Sequence, residues 1–155
     1  MASSHPIRRI LKGLRRSEAG SAIAELAVAF PILALVALGV SEFGKVYYAA
    51  ITVAGAARTG AQYGAQSTVT SKDTAAINQA ARNDAVDAGA ISVTSNRFCR
   101  CPDGSTPSCT GSCSGYGGPE VFVRVSTSKT VSFVMKYPGL PSTLSLSRTA
   151  TFRVQ

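Results

Sequence analysis

The chain predicts an α+β fold: a long N-terminal transmembrane helix that continues into a small domain with a second helix and a roughly three-stranded antiparallel sheet. Three observations predict it. A basic segment is followed by an apolar run from Ala22 to Val40. Apolar residues then recur at three- and four-residue spacings to Ala61, and again from Ala76 to Ala88. After Ala90 the period drops to two. The first two patterns belong to helices and the third to half-buried strands. At 155 residues there is room for one domain beside the membrane segment.

Residues 1–20 are polar and basic, and read as a leader, disordered or a frayed helix. Arg8, Arg9, Lys12, Arg15 and Arg16 stand in it beside one acid, Glu18, for a net charge of +4. The remainder has eleven basic and seven acidic residues, also +4, so loss of the leader halves the charge of +8. The 19 residues from Ala22 to Val40 span about 28 Å as a helix, close to a hydrocarbon core. The flanking arginines hold their side in the cytoplasm and send the C-terminus across.

Glu25 interrupts this run. A carboxylate a few residues into an apolar membrane helix is costly and persists mainly where it has a partner. One reading leaves it at headgroup depth, where snorkelling makes it cheap. The other uses Gly20: a cut after Gly20 frees the amine of Ser21 and makes Glu25 the fifth residue. Ser21 and Glu25 then lie one helical turn apart, and the carboxylate can neutralise its own amine or a neighbouring subunit's.

These residues carry a resemblance. A short basic leader, a Gly, four small or apolar residues, a Glu and an apolar helix resemble a class III prepilin signal. The run from Gly20 to Leu33 (GSAIAELAVAFPIL), with Ser41–Tyr48 (SEFGKVYY) and Ala56–Ala65 (AARTGAQYGA), is more specific. It resembles the TadE-like family, the pseudopilins or minor pilins of the tight-adherence, Flp-type pilus. Clear similarity covers about Arg16 to Ala65, with a weaker echo in the C-terminal strands. Major Flp pilins usually carry Glu-Tyr at this motif and are far shorter, whereas this chain has Glu25-Leu26, which fits a minor component.

The resemblance implies a pilin-like plan, a helix with a small sheet behind it, and cleavage after Gly20 by a prepilin peptidase. It further implies other pilin and pseudopilin subunits and the inner-membrane assembly platform as partners, in pili used for surface adhesion and biofilm formation. The chain would then be a bacterial inner-membrane protein, single-pass, with its C-terminal domain in the periplasm or outside. Two rival readings stand beside it. An ordinary secretory signal finds a small-x-small site at Ala37-Leu38-Gly39, against which stand Glu25 and the helical pattern beyond. A plain uncleaved anchor would carry an extracytoplasmic binding or adhesion domain that enters no pilus.

Residues 21–41 are the membrane half of the long helix. Pro31 removes the hydrogen bond to the Ala27 carbonyl, so a kink or local loosening is expected where neighbouring helices can cover it. Residues 42–155 form the extracytoplasmic domain, of which 42–65 continue the helix. Ser41, Glu42 and Lys45 mark the change in polarity, and Tyr47 and Tyr48 suit the outer interface. Phe43, Val46, Tyr47, Ala50, Ile51, Ala54, Ala57 and Ala61 form an apolar stripe. Phe30, Pro31, Phe43, Tyr47, Ala50 and Ala54 are the candidates for packing between subunits. Small pairs such as Ala50/Ala54, Ala57/Ala61 and Gly60/Gly64 permit close helix approach in a filament. From Ala57 onward the same face is expected to pack on the chain's own domain.

The second helix spans 71–88, with Ser71 as N-cap, Asp73 in the first turn and Gly89 after its end. Its apolar face is Ala76, Ile77, Ala80, Ala81, Ala85 and Ala88; Asp84 and Asp87 are placed on an exposed face beside Arg82. Strands occupy 91–155: Ile91 and Val93; Val121, Val123, Val125, Val131 and Phe133 at odd positions; Leu144, Leu146, Ala150, Phe152 and Val154 at even ones. Tyr137-Pro138-Gly139-Leu140-Pro141 is the turn between the last two.

Cys99, Cys101, Cys109 and Cys113 fall in a loop, 99–113, rich in Gly, Ser, Thr and Pro. They read as a zinc knot or two disulfides. The topology places them where disulfides persist, and no histidine remains once the leader is gone. A Cys99–Cys101 bond would be strained, so each pairs with Cys109 or Cys113, in either arrangement. Such bonds staple the connection, or present a rigid loop to a surface or partner pilin.

The lone histidine, His5, lies in the leader. Beyond it there is no Ser/His or Cys/His constellation, no phosphate-binding Gly loop and no metal-ligand cluster. No enzyme activity, cofactor or metal is expected. Nucleic-acid binding would want a clustered basic stripe with interleaved aromatics, and the linear sequence offers none.

Overall fold

The computed structural model describes residues 18–134, 139 and 141–155. The expected leader lies almost wholly outside them, as do Tyr137, Pro138 and Leu140 of the expected turn. The fold is α+β: helix α1 (Glu18–Ala65), helix α2 (Thr74–Asp84) and strands β1 (Ser92–Arg100), β2 (Glu120–Ser132) and β3 (Thr143–Arg153). By contacts the chain divides into two units, residues 1–43 and 44–155.

In the first unit α1 begins at Glu18, one turn before the expected Ser21, and runs through Pro31 without ending. Its large apolar side chains are exposed, among them Ile23, Leu26, Val28, Phe30, Ile32 and Leu35. A water-soluble protein does not leave so continuous an apolar surface uncovered. The helix is long and apolar enough to cross a membrane.

In the second unit the C-terminal half of α1, α2 and the sheet share one core. Ala56, Ala61, Ile77, Ala81, Ala85, Val93, Val123, Val125 and Val154 form it, with Tyr63, Ile91, Val121 and Ala150 packed at its margin. The sheet is antiparallel in the order β1-β2-β3. Odd residues of β2 face the helices: Val123, Val125, Thr127 and Val131 are buried, as alternation requires. Thr127 is the polar member of that row, and its hydroxyl donates to the Val53 carbonyl of α1 at 2.7 Å.

Small residues set how closely α1 is packed. A Cβ at Gly60 would sit 3.0 Å from Ala81 Cβ, and one at Gly64 would sit 2.8 Å from Ile77 Cδ1 and 2.9 Å from Val123 Cγ1. These two glycines serve the chain's own α2 and β2, not a neighbouring subunit's helix. At the end of α1 the Ala65 carbonyl accepts from the Gln155 backbone N–H at 3.1 Å, so the C-terminal residue satisfies an orphan helix carbonyl.

Three local expectations need correction. The N-cap of α2 is Asp73, whose carboxylate accepts from Ala76 N–H at 2.9 Å. Ser71 is buried in a preceding 3-10 turn (Thr70–Lys72), and its hydroxyl donates back to the Thr68 carbonyl. The span expected as one helix breaks at Ala85 into a 3-10 turn (Val86–Ala88) before Gly89. Finally, Cys99 does not lie in the loop: it is on β1, opposite Val121 of β2.

Candidate functional site

The Ser21 hydroxyl donates to Glu25 Oε1 at 3.3 Å, one turn along α1. Helical spacing brings the two groups together, and the surrounding apolar surface offers the carboxylate little else. Gly20 precedes them within the helix, and no atom of the described residues beyond its chain neighbours and the helix's own backbone lies within 4 Å of where its Cβ would be. A helical glycine costs up to about 1 kcal/mol relative to alanine. Gly39 and Gly44 of the same helix are equally open among the described residues.

Phe30 and Pro31 are exposed on the same apolar segment. Phe43 is exposed as well, at 73%. In the second unit the expected stripe divides. Ala57 and Ala61 are buried in the core, Ala50 and Ala54 are half-buried, and Tyr47 and Ile51 remain exposed. The buried face also takes in Ala49, Val53 and Ala56, which the expected stripe did not include, and Gly60 and Gly64, which were expected as a close-packing pair. Helix α1 therefore has one small-residue face spent on its own domain and one aromatic face left open.

The cysteines join Cys99 to Cys109 and Cys101 to Cys113. Cys99, Cys101 and Cys113 are buried, so the bonds form a small core for a connection that has few apolar side chains. A turn inside it is fixed by Asp103, which accepts from the Ser105 hydroxyl at 2.6 Å and the Ser105 N–H at 2.9 Å. Those bonds hold the Asp103 carboxyl below its ordinary range, the hydroxyl foremost. Gly104 follows at φ 87°, a conformation that a side chain would oppose. Tyr116 stands exposed near the end of the connection.

Two features escaped the sequence reading. Asp84 is exposed as expected, but it also accepts from the Thr59 hydroxyl of α1 at 3.0 Å. On the outer face of the sheet the register places Phe98 opposite Phe122, and Arg124 lies over the Phe98 ring. These residues are far apart in sequence. Only the pairing of β1 with β2, which even-numbered alternation and a register would have supplied, unites them.

Residues 20–62 match the family model described as TadE-like protein. The match begins at Gly20 and takes in Ser21, Glu25 and the open aromatic face of α1. No curated protein and no solved structure matches the chain.

Proposed function

From the TadE-like match over residues 20–62, we propose that the chain is a Tad pilus-associated protein, and within that class a minor pilin or pseudopilin. It is cut after Gly20 by a prepilin peptidase and helps to assemble or prime a tight-adherence, Flp-type pilus used in adhesion and biofilm formation. The observation that carries this reading is the Gly20, Ser21 and Glu25 arrangement on an otherwise apolar, uncovered helix. Cleavage adds a positive amine one turn from the carboxylate, and in lipid that charge favours a carboxylate of its own or of an adjacent subunit. Lateral packing then uses Phe30, Pro31, Phe43 and Tyr47, which are exposed in the single chain, with the partly buried Ala50 and Ala54 at the margin of that surface. The partners are the peptidase, other pilin and pseudopilin subunits and the inner-membrane assembly platform. The role is structural and not catalytic.

The test is the N-terminal residue of the protein taken from its native membranes, read by mass spectrometry of the terminal peptide. A start at Ser21 is the expected result. A start at Met1 or Ala2 would overturn processing and leave an anchored extracytoplasmic domain outside any pilus. A start at Val40 would make the helix a removable signal peptide.

A further inference from the structure

The face of the sheet turned away from α1 is built from the even residues of β1 and β2 and their partners on β3. Phe98 and Phe122 stack there with ring centroids 5.5 Å apart and an interplanar angle of 18°. The Arg124 guanidinium lies 4.6 Å from the Phe98 centroid, and that of Arg100 lies 5.9 Å from it. Arg153 stands opposite Phe122 and pairs with Glu120 at 2.8 Å. Thr94, Ser126, Thr149 and Thr151 continue the face with hydroxyls, Ser126 and Thr149 being 2.9 Å apart.

The arginines are the informative part. A guanidinium stacked on a ring is held in place while its N–H edges stay available for a planar anion. The side chains of Arg100 and Arg124 have the Phe98 contact and no hydrogen bond or ion pair among the described residues. Glu120 is the acid of this face and is already engaged by Arg153. The register sets Glu120, held by Arg153, opposite Arg100, and places Asn96 and Thr151 on either side of Arg124, so the open guanidinium edges lie toward the hydroxyl-bearing part of the face.

From this the geometry points to a binding surface for an acidic polysaccharide. A uronate carboxylate matches the guanidinium fork, and the sugar hydroxyls match the Ser and Thr side chains alongside. A single-stranded nucleic acid would want open aromatic faces on which bases stack. Phe98 is instead taken up by Phe122 and the two guanidinium groups. The disulfides agree with a compartment outside the reducing cytoplasm, where such polymers are met. This surface does not depend on whether the chain enters a pilus.

The experiment uses the full chain in an uncharged detergent, with binding of fluorescent polygalacturonate measured against salt concentration. Dextran and an oligothymidylate serve as comparison probes. The expected result is salt-sensitive polygalacturonate binding, none to dextran, and a loss of about tenfold or more in R100Q/R124Q, as for two charge-assisted contacts. The R58Q/R82Q variant removes two exposed cations elsewhere and should bind as the parent does. Equal binding by R100Q/R124Q and the parent, or an equal loss in R58Q/R82Q, would overturn the proposal. Tighter binding of oligothymidylate than of polygalacturonate would overturn it in favour of nucleic acid.

Discussion

Thr127 shows what a single hydroxyl contributes to this fold. It occupies a buried odd position of β2, where its neighbours Val123 and Val125 are fully apolar, and it ties the sheet to the Val53 carbonyl at 2.7 Å. Val53 lies within α1, so its carbonyl keeps an intrahelical partner when the hydroxyl is removed. Thr127→Val should therefore cost about 1 kcal/mol, the net worth of one hydrogen bond, and no orphan-group penalty. Chemical denaturation of the two proteins in the same detergent checks this; a variant as stable as the parent would show that the bond contributes nothing. The valines of β2 were legible from alternation, whereas a threonine in such a strand reads as surface until its partner is known. Glu25 is the converse case, legible because an acid in an apolar run stands out. Glu25→Ala should leave membrane insertion intact and cut pilus assembly by about tenfold or more, as loss of ~1.4 kcal/mol per subunit contact would. Normal piliation in that variant would remove the charge pair from the proposed mechanism.

At the scale of elements, α1 was legible in its extent and in the burial of Ala57 and Ala61, but not in the burial of Ala49, Val53 and Ala56. The stripe drawn through Phe43, Tyr47, Ala50 and Ala54 follows side-chain size, as hydrophobic periodicity does. The domain instead selects the residues that let a helix come close, so Gly60 and Gly64 face α2 and β2 while Phe43 and Tyr47 stay exposed. The small pair Gly60/Gly64 was legible as a place of close approach, but its spacing does not say whether the approaching partner is the chain's own α2 and β2 or another helix. Gly64→Ala tests the close approach: its Cβ would meet Ile77 Cδ1 at 2.8 Å and Val123 Cγ1 at 2.9 Å. Overpacking of this kind costs about 1–3 kcal/mol, against up to about 1 kcal/mol gained in helix propensity. A net loss of stability is expected on thermal unfolding. Gly44→Ala, with nothing within 4 Å, should show only the gain. If both variants were equally stabilised, the small-residue packing of α1 would be wrong. The α2 cap shifted for a related reason: Ser71 and Asp73 both suit an N-cap, and burial of Ser71 decides for Asp73.

At the scale of the whole molecule, the disulfides make the fold report on its own compartment. They close sequence separations of 10 and 12 residues in a connection made largely of Gly, Ser, Thr and Pro. The sequence limited the pairings to two, and only the position of Cys99 on β1 and the path of the chain beyond it selected between them. A loop of this length loses roughly 3 kcal/mol of chain entropy in the unfolded state on the simplest account, and the second bond adds less because the loops overlap. Removing both partners of one bond in C99A/C109A should lower stability by about 2–3 kcal/mol without leaving a free thiol. Little change would mean that the stapled segment unfolds apart from the sheet. The same bonds test orientation. If the arginine-rich end stays in the cytoplasm, the cysteines are carried across and oxidised. Alkylation of intact cells with a maleimide-polyethylene glycol, followed by denaturation and gel mobility, should show no modified cysteine before reduction and four after it. Four modified thiols without reductant would place the domain in the reducing cytoplasm. That outcome would reverse the topology from which both pilus assembly and contact with external polysaccharide proceed.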